Sequence, residues 1–163
     1  NNSLHIDQAT LEDAAVLADI IKQSYRTVAN DFNLTKDNCP KHPSNCTPEW
    51  ITHDLGRGVT YFLLMKNNRP VGCAALEKAD ADTFYLERLA ILPEFRHKGC
   101  GKMVVDFIVD KAKICNAKTV GAAIIEEQTI LKQWYEGLGF KAVGAKKFDH
   151  LPFTVGFLQI DLP

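Results

Sequence analysis

The sequence predicts an α/β fold of the α+β kind, with about seven strands and four helices in a single domain over residues 1–163. Three observations support this prediction. Apolar runs switch between the period of a strand and that of a helix. They follow the order strand, two helices, three strands, helix, strand, helix, two strands. No repeat, low-complexity segment or linker interrupts the chain, whose 163 residues suffice for one buried core.

The first third of the chain predicts one strand and two helices. Residues 4–6 form a short apolar strand, and Thr10 is a predicted N-cap with two acidic residues in the turn behind it. A helical period follows, carried by Leu11, Ala14, Ala15, Leu17, Ala18 and Ile21. Residues 31–44 are polar, contain two prolines and predict a loop. The run Thr47-Pro48-Glu49 predicts the start of a second helix, which continues to about Gly56.

The middle of the chain predicts three consecutive strands. Residues 59–65 and 71–76 are compact apolar runs joined by the turn sequence Asn67-Asn68-Arg69-Pro70, which predicts an antiparallel hairpin. Residues 84–92 form the third strand. The remaining predicted elements are a helix over about 101–115, a strand over 119–125, a helix over 129–137, and strands over 140–143 and 153–160.

The most informative segment is Arg96-His97-Lys98-Gly99-Cys100-Gly101, which lies between the third strand of this run and the helix that follows. Its two glycines let the backbone approach a ligand closely and tolerate a positive φ. The start of the next helix leaves N–H groups without internal partners and carries a partial positive charge. Together these features predict a binding site for a phosphate.

Two nucleotide-binding patterns do not fit this segment. A Walker A loop requires Ser or Thr after Gly-Lys, but Gly101-Lys102 precedes Met103, and Arg96 stands where the first glycine belongs. A dinucleotide fingerprint requires a third glycine where the sequence has Val104. A glycine-rich turn that binds nothing is the plain alternative. The pattern that does fit is Arg/Gln-x-x-Gly-x-Gly/Ala.

Two runs of the chain resemble motifs of one family. The run from Leu86 to Lys102 resembles the pyrophosphate loop of the GCN5-related N-acetyltransferases, the GNAT superfamily. Residues 128–140 resemble the later motif of that family, Asn-x-x-Ala-x-x-Leu-Tyr-x-x-x-Gly-Phe, from which this sequence departs at Gln128 and Leu131. The motifs occur in the family's order, and the predicted elements follow its fold along nearly the whole chain.

The resemblance implies a sheet topology, a co-substrate and a reaction. The sheet is mixed and mostly antiparallel, with splayed parallel strands at the cofactor site. The co-substrate is acetyl-CoA, no metal is required, and the reaction is acetyl transfer to a primary amine by direct attack in a ternary complex. The alternative is a non-catalytic module that binds or senses acyl-CoA. The implied cofactor-binding residues are Leu89, Ala90, Ile91, Arg96, His97, Lys98, Gly99, Cys100, Gly101, Lys102, Gln128 and Lys132.

Two side chains are candidates for the chemistry. In the family, the tyrosine that matches Tyr135 faces the sulfur of coenzyme A and acts as general acid, because a thiolate leaving group needs a proton donor. Glu87 is the candidate base, since several family members have a glutamate near this strand position and burial raises the pKa of a carboxyl group towards a useful range. The plainer interpretations are a tyrosine of the core and a solvent-facing glutamate paired with Arg88 or Lys78.

The loop between the first two helices is the least regular part of the sequence. Cys39, His42, Cys46 and His53 could ligate zinc, and a disulfide could join the first and third of them, but a plain capping or lid loop is favoured and no metal is expected. In the resembled family this region lines the acceptor pocket. The candidates for substrate contact are Arg26, His42, Trp50 and His150.

Composition narrows the expected partners. A net charge of −1 creates no field that would attract nucleic acid or an acidic membrane, and no apolar run approaches the length of a membrane span. Five cysteines, an odd number, favour reduced thiols and a cytoplasmic location. The expected partner is therefore a small-molecule or peptide amine acceptor, and the resemblance makes a homodimer an additional possibility.

Overall fold

The computed structural model describes residues 3–163. Within them, one sheet of seven strands has the order β1-β2-β3-β4-β5-β7-β6. The strands are β1 (Leu4–Gln8), β2 (Thr60–Lys66), β3 (Arg69–Lys78), β4 (Thr83–Ile91), β5 (Thr119–Ile125), β6 (Lys141–Lys147) and β7 (Thr154–Asp161). The helices are α1 (Ala14–Asp31), α2 (Pro48–Gly56), α3 (Cys100–Ile114) and α4 (Thr129–Gly137). Each of these helices falls short of the length and apolarity that crossing a membrane would need.

Every predicted helix and strand is present, and the differences are mainly in length. The first helix begins with a 3₁₀ turn, in which the N–H of Thr10 donates to the carboxylate of Asp13 at 2.8 Å. The following α1 continues well beyond Ile21, because Ser24 and Ala29 extend its buried face by further turns. The added turns matter for the site, since they bring the end of α1 over the middle of the sheet.

Two helical layers cover the two faces of the sheet. Side chains alternate along β2, so Tyr61 and Leu63 pack in the core with α1 and α2, whereas Phe62 and Leu64 pack with α3 and α4. β4 lies in the middle of the sheet and is covered on both sides. Its side chains are therefore divided between an α1–α2 side and an α3–α4 side of the molecule.

β4 and β5 are parallel neighbours, whereas the other neighbouring strands of the described sheet are antiparallel. They pair only at their beginnings, where Tyr85 is the last residue of β4 with a partner on β5. β5 itself stays paired with β7 as far as Ile125. The bare backbone of Gly121 makes room for the Tyr85 ring, since a Cβ there would lie 2.9 Å from that ring. A gap thus opens between the second halves of β4 and β5, which confirms the predicted splay of the parallel strands.

A β-bulge lies on β4 where this gap begins. Two residues, Arg88 and Leu89, separate Glu87 from Ala90, whereas only one residue separates their partners on β3. Arg88 has a φ of 50°, an unusual value for a residue other than glycine and one that bulges accommodate. The bulge leaves Arg88 and Leu89 outside the regular register of the β3–β4 pair at the edge of the gap.

Candidate active site

The glycine segment forms the connection from β4 into α3. His97 and Gly99 have φ values of 61° and 83°, and Gly99 is the N-cap of α3. No carbonyl among the described residues accepts a hydrogen bond from the N–H groups of residues 97–99. The first turn of α3 adds N–H groups that lack intrahelical acceptors. Because nothing lies within 4 Å of a Cβ position at Gly99, an anion can approach these donors closely.

The side chain of Arg96 is already engaged by protein. Its Nε donates to the carbonyl of Ile91 at 3.0 Å, its Nη1 to Oγ1 of Thr27 at 3.1 Å, and its Nη2 to the carbonyl of Ser24 at 2.6 Å. These bonds join the glycine segment to the end of β4 and to α1. The contact of Arg96 with a phosphate stays a prediction, and the observed contribution of its guanidinium is to hold the segment in place.

Cys100 and Gly101 pack α3 against its surroundings. The side chain of Cys100 is buried in the core of the α3–α4 side. A Cβ at Gly101 would lie 3.0 Å from the indole ring of Trp134, so the glycine allows α4 to approach the start of α3. This approach brings Tyr135, the residue after Trp134, into the same part of the molecule as the glycine segment.

Tyr135 is buried, with 5% of its surface exposed. Its ring makes edge contacts with Trp134 and Phe140, at centroid distances of 5.0 and 5.2 Å. Burial raises the pKa of its phenol, which therefore stays protonated at neutral pH. The structure thus places a neutral proton donor on α4, and whether it serves as general acid stays a prediction.

A second tyrosine, Tyr25, lies near Tyr135 at the edge of the gap. Tyr25, on the extended part of α1, donates a hydrogen bond from its hydroxyl to the carbonyl of Leu89 at 2.9 Å. Burial raises the pKa of Tyr25, and the proximity of Tyr135 raises it further. The carbonyl of Leu89 is thus occupied from the α1–α2 side, while Ala90 is paired with Cys73 of β3. Tyr25 links the bulge of β4 to the helix that covers it.

Glu87 lies half-buried on β4, opposite Ala75 of β3. One of its carboxyl oxygens, Oε1, is buried and has no hydrogen-bond partner among the described residues. Burial, followed by a hydrogen bond with Glu77, raises the pKa of Glu87 to about 8. The alternative interpretation, an ion pair of Glu87 with Arg88 or Lys78, does not occur among the ion pairs of the described residues. The raised pKa agrees with the range proposed for a general base, a role that stays a prediction.

A cluster of charged side chains adjoins Glu87 on the α1–α2 side. Nη1 of Arg88 lies 3.0 Å from Oδ2 of the buried Asp54 and donates to the hydroxyl of Tyr61 at 2.9 Å. The Tyr61 hydroxyl in turn donates to the same oxygen of Asp54 at 2.6 Å. Arg57 pairs with the other oxygen of Asp54 and also with Glu77. The guanidinium of Arg88 lies 5.4 Å from the centre of the Trp50 ring, which brings this predicted substrate residue into the cluster.

Three predicted cofactor residues remain: Lys102 in the first turn of α3, and Gln128 and Lys132 at the start of α4. Gln128 is the N-cap position, and its N–H donates to the carbonyl of Ile125 at 3.0 Å. The ammonium group of Lys132, one turn further on, forms an ion pair with Glu126. Lys102 similarly pairs with Asp106 along α3, at 2.5 Å. These two lysines would have to exchange a carboxylate for a phosphate in order to bind the cofactor directly.

His42 belongs to the loop that connects α1 and α2, and its side chain is buried. Its Nδ1 lies 2.7 Å from Oγ of Ser44, and its ring makes an edge contact with Tyr25 at a centroid distance of 5.8 Å. Burial lowers its pKa from 6.5 to about 4, so it is neutral at neutral pH. The two other predicted substrate residues are exposed: Arg26 lies on α1, and His150 packs against Phe148. The structure brings neither of them into the hydrogen-bonded cluster.

The side chains of the cysteine loop do not form a set of metal ligands. Cys39 and Cys46 are buried, and both are free thiols. Within residues 3–163, no group of three or more His, Cys, Asp or Glu side chains is arranged to hold a metal ion. The observed role of the loop is packing, since Cys46 belongs to the core with α1 and α2, and Cys39 to a smaller cluster under Phe153.

Sequence reasoning missed six residues of the cluster and the gap: Tyr25, Asp54, Arg57, Tyr61, Glu77 and Arg88. Only Asp54 carried a usable signal. It follows Ile51 by three positions, so the helical period places both side chains on the buried face of α2. A carboxylate on a buried face needs partners, which would have pointed to a polar cluster. The others have no local signature: Tyr25 lies within α1, Tyr61 and Glu77 near the ends of β2 and β3, Arg57 just after α2, and Arg88 at the bulge of β4.

The fold resembles those of several solved acetyltransferases. The paia N-acetyltransferase from Thermoplasma acidophilum, in complex with coenzyme A, aligns with a TM-score of 0.81 at 16% identity, over 98% of this chain and 99% of that one. The ribosomal-protein-S18-alanine N-acetyltransferase from Escherichia coli aligns with a TM-score of 0.77 at 13% identity, over 98% and 94%. A GNAT family acetyltransferase from Elizabethkingia anophelis with acetyl-CoA bound gives 0.68 at 18%, over 98% of each chain.

The sequence itself matches one family. The profile of the acetyltransferase (GNAT) family aligns with residues 24–140, which is well over half of the chain. The matched part includes the bulge of β4, the glycine segment and the helix of Tyr135. The seven-stranded mixed sheet with four helices agrees with this match along the chain. The chain therefore belongs to the acetyltransferase (GNAT) family of N-acetyltransferases.

Proposed function

We propose that this protein transfers an acetyl group from acetyl-CoA to the primary amine of an acceptor, by direct attack within a ternary complex. One observation carries the proposal. A buried phenol, Tyr135, lies on the α3–α4 side near Tyr25, which bonds the edge of the gap at Leu89, and β4 carries a carboxyl with an unpartnered oxygen, Glu87, on the α1–α2 side. An amine and a thioester held in this gap would meet between a proton acceptor and a proton donor, as the transfer requires.

The donor in this proposal binds through the backbone. The N–H groups of residues 97–99 and of the first turn of α3 would hold the pyrophosphate. These groups donate to no carbonyl and lie at the positive end of the α3 dipole. The main chain of residues 89–91 would hold the pantetheine arm beside the gap. The structures from T. acidophilum and E. anophelis contain coenzyme A and acetyl-CoA, respectively, which supports this donor for a chain of the same fold.

The two candidate side chains would share the proton transfers. Glu87, directly or through a water molecule, takes a proton from the attacking ammonium, and the freed nitrogen lone pair forms the bond to the carbonyl carbon of the thioester. The carbon–sulfur bond then breaks, and Tyr135 donates a hydrogen bond or a proton to the departing sulfur. The new amide nitrogen loses its remaining extra proton to solvent, from which Tyr135 regains a proton if it has given one up. A carboxyl with a pKa of about 8 is a stronger base than an ordinary carboxylate, and a buried neutral phenol is a suitable donor.

The acceptor in this proposal reaches Glu87 from the α1–α2 side. Trp50 presents an aromatic ring next to the cluster and is the best-supported of the predicted substrate contacts. His42 would act through Tyr25, whose ring it contacts, rather than as a base, because its buried imidazole resists protonation. The acceptor is a small molecule or a peptide with a primary amine, for which Arg26 and His150 remain proposed outer contacts.

A thiol-release assay with acetyl-CoA and a broad panel of amines tests the proposal. Turnover above the rate of acetyl-CoA hydrolysis with at least one amine, together with a mass increase of that amine by one acetyl group, is the expected result. Calorimetric titration with coenzyme A measures binding separately. Binding without transfer to any amine of the panel would instead identify a non-catalytic acyl-CoA-binding module.

A further inference from the structure

Glu87 has a second carboxyl group beside it. In the antiparallel pair of β3 and β4, Ala75 lies opposite Glu87 and Glu77 lies opposite Tyr85. Since side chains two positions apart share a face, Glu77 and Glu87 are diagonal neighbours on the α1–α2 side. The pKa of Glu77 is lowered and that of Glu87 is raised, and these opposite shifts point to a hydrogen bond between the two carboxyl groups.

Such a contact requires a proton. Two carboxylates within hydrogen-bonding distance repel each other and offer no donor, so one member of the pair must be protonated. Arg57 decides which member, because it forms an ion pair with Glu77. No cation among the described residues forms an ion pair with Glu87, whose Oε1 is buried and unpartnered. Glu77 is therefore the ionised member, and Glu87 holds the proton.

The other charged groups around the pair leave this assignment in place. Asp54 of α2 and Arg57, the residue after α2, face the pair. The hydroxyl of Tyr61 faces it from β2, and Arg88 faces it from β4. Asp54 opposes ionisation of Glu87, and Arg88 favours it, but these two are paired with each other at 3.0 Å. After burial, Glu77 thus stays the largest influence on the pKa of Glu87.

We propose that Glu77, held by Arg57, is a positioning residue that keeps the proton on Glu87 in the free enzyme and makes Glu87 a stronger base for the acceptor. This inference rests on the proposed role of Glu87 in the transfer. In the reaction, ionised Glu87 takes one proton from the ammonium, so that a carboxylate and an ammonium become a carboxyl and an amine. Glu77 sets the strength of that base and also the pH above which the base is available.

The consequence is a specific pH dependence. Replacing Glu77 by Gln removes the neighbouring negative charge, and its amide can donate a hydrogen bond to ionised Glu87. Both changes lower the pKa of Glu87, by about one pH unit or more. The acid limb of kcat/KM should move to lower pH by the same amount, while the plateau rate falls because the base is weaker. A purely structural role of Glu77 would lower the melting temperature without moving the acid limb.

Carbon-13 NMR titration of the glutamate carboxyl groups tests the pair in the free protein, without any acceptor. Spectra of Glu87→Gln and Glu77→Gln assign the two resonances. In the unmodified protein, the Glu87 resonance should titrate near pH 8, and in Glu77→Gln it should titrate about one pH unit lower or more. Glu94→Gln is the matched control, because Glu94 also pairs with an arginine, Arg69 at 3.6 Å, but is exposed; it should leave Glu87 unchanged.

Two results overturn the proposal: titration of Glu87 near 4.5 in the unmodified protein, or an unchanged titration in Glu77→Gln. Should Glu77→Gln not fold, the unmodified protein still decides. The Glu77 resonance must show a second inflection at the pH where Glu87 titrates, and its absence counts against the pair. Because this readout needs no turnover, a failure to acetylate any amine would overturn the proposed function and leave the carboxyl pair standing.

Discussion

The α3–α4 side and the α1–α2 side of the gap are built in different ways. On the α3–α4 side, the candidate binding groups are backbone N–H groups of one continuous segment, residues 97–102, next to a tyrosine of the adjacent helix. On the α1–α2 side, the polar groups are side chains from four elements: Asp54, Tyr61, Glu77 and Arg88 from α2, β2, β3 and β4. The first arrangement depends on local conformation, and the second depends on the register of the sheet.

This difference explains why only one side of the gap has a recognisable motif. A backbone site needs glycines at particular positions and a helix start behind them, and both are visible in a short stretch of sequence. A side-chain network needs only that each buried polar group finds a partner, which many sequences can provide. The two sides should therefore respond differently to substitution, and four predictions examine this contrast in order of decreasing effect.

The largest effect is expected for Tyr135→Phe on the α3–α4 side. Loss of the phenolic proton donor should lower kcat by about 1000-fold, in line with the contribution of a general acid. Coenzyme A binding and the melting temperature should change little, since the ring and its contacts with Trp134 and Phe140 are retained. Steady-state kinetics with the best amine, together with calorimetric titration, measure both quantities. An unchanged kcat would remove Tyr135 from the chemistry.

The next effect is expected for Asp54→Asn on the α1–α2 side. Asn keeps the shape but removes the charge that balances Arg88, leaving a largely buried guanidinium uncompensated. Urea denaturation should show a loss of about 3 kcal/mol in the free energy of unfolding. Asp82→Asn is the matched control, because Asp82 is exposed and lies 3.9 Å from Lys118, and it should change this energy by less than about 0.5 kcal/mol. Equal effects of the two substitutions would contradict a network on this side.

A smaller effect is expected for Gly101→Ala on the α3–α4 side. The new Cβ would lie 3.0 Å from the Trp134 ring and force α3 and α4 apart, at a cost of about 1–2 kcal/mol. Gly137→Ala, in α4, introduces the same methyl group where nothing lies within 4 Å, and should be neutral or slightly stabilising. Thermal unfolding compares the two variants. A neutral Gly101→Ala would mean that the glycine serves ligand approach rather than helix packing.

The smallest effect near neutral pH is a pH dependence on the α1–α2 side. Burial lowers the pKa of His42 from 6.5 to about 4, so the unfolded chain binds a proton that the folded protein excludes. Stability should therefore fall as the pH drops from 6.5 towards 4, by at most about 1.4 kcal/mol per pH unit. His42→Asn should remove this part of the slope in denaturation curves, whereas His150→Asn, which alters an exposed histidine, should retain it. A slope that is the same in all three proteins would mean that folding does not lower the pKa of His42.

The sequence predicted the elements well because each carried a local signal. β5 and α4 begin and end where the periodicity places them, at Thr119–Ile125 and Thr129–Gly137. Glu87 was predicted as the base because several members of the resembled family have a glutamate near this position and because it is an acidic residue in an apolar strand. Glu77 was not singled out, since it stands near the polar end of β3, where an exposed residue is equally expected. Its significance arises only from the pairing of β3 with β4.

Arg96 illustrates a different limit of sequence reasoning, in which a residue is predicted to bind a ligand but its side chain binds protein groups instead. Its position in the motif predicted a contact with phosphate, but the structure gives its guanidinium three acceptors, among them the carbonyl of Ser24. Three strands, β2 to β4, lie between Ser24 and Arg96 in the sequence, and no local pattern predicts that α1 passes beside the glycine segment. The motif thus predicted where along the chain the site lies but could not say which of its groups remain free for a ligand.

The sequence by itself determined the order of the elements, the family and the backbone conformation of the glycine segment, because periodicity, glycines and helix starts act over a few residues. The tertiary structure decided the rest. Parallel pairing that stops at Tyr85 opened the gap, and the bulge at Arg88 turned its side chain into the cluster with Asp54. The register of β3 against β4 made Glu77 and Glu87 diagonal neighbours. Such contacts join residues far apart in the chain, so their electrostatic consequences exist only once the sheet has formed.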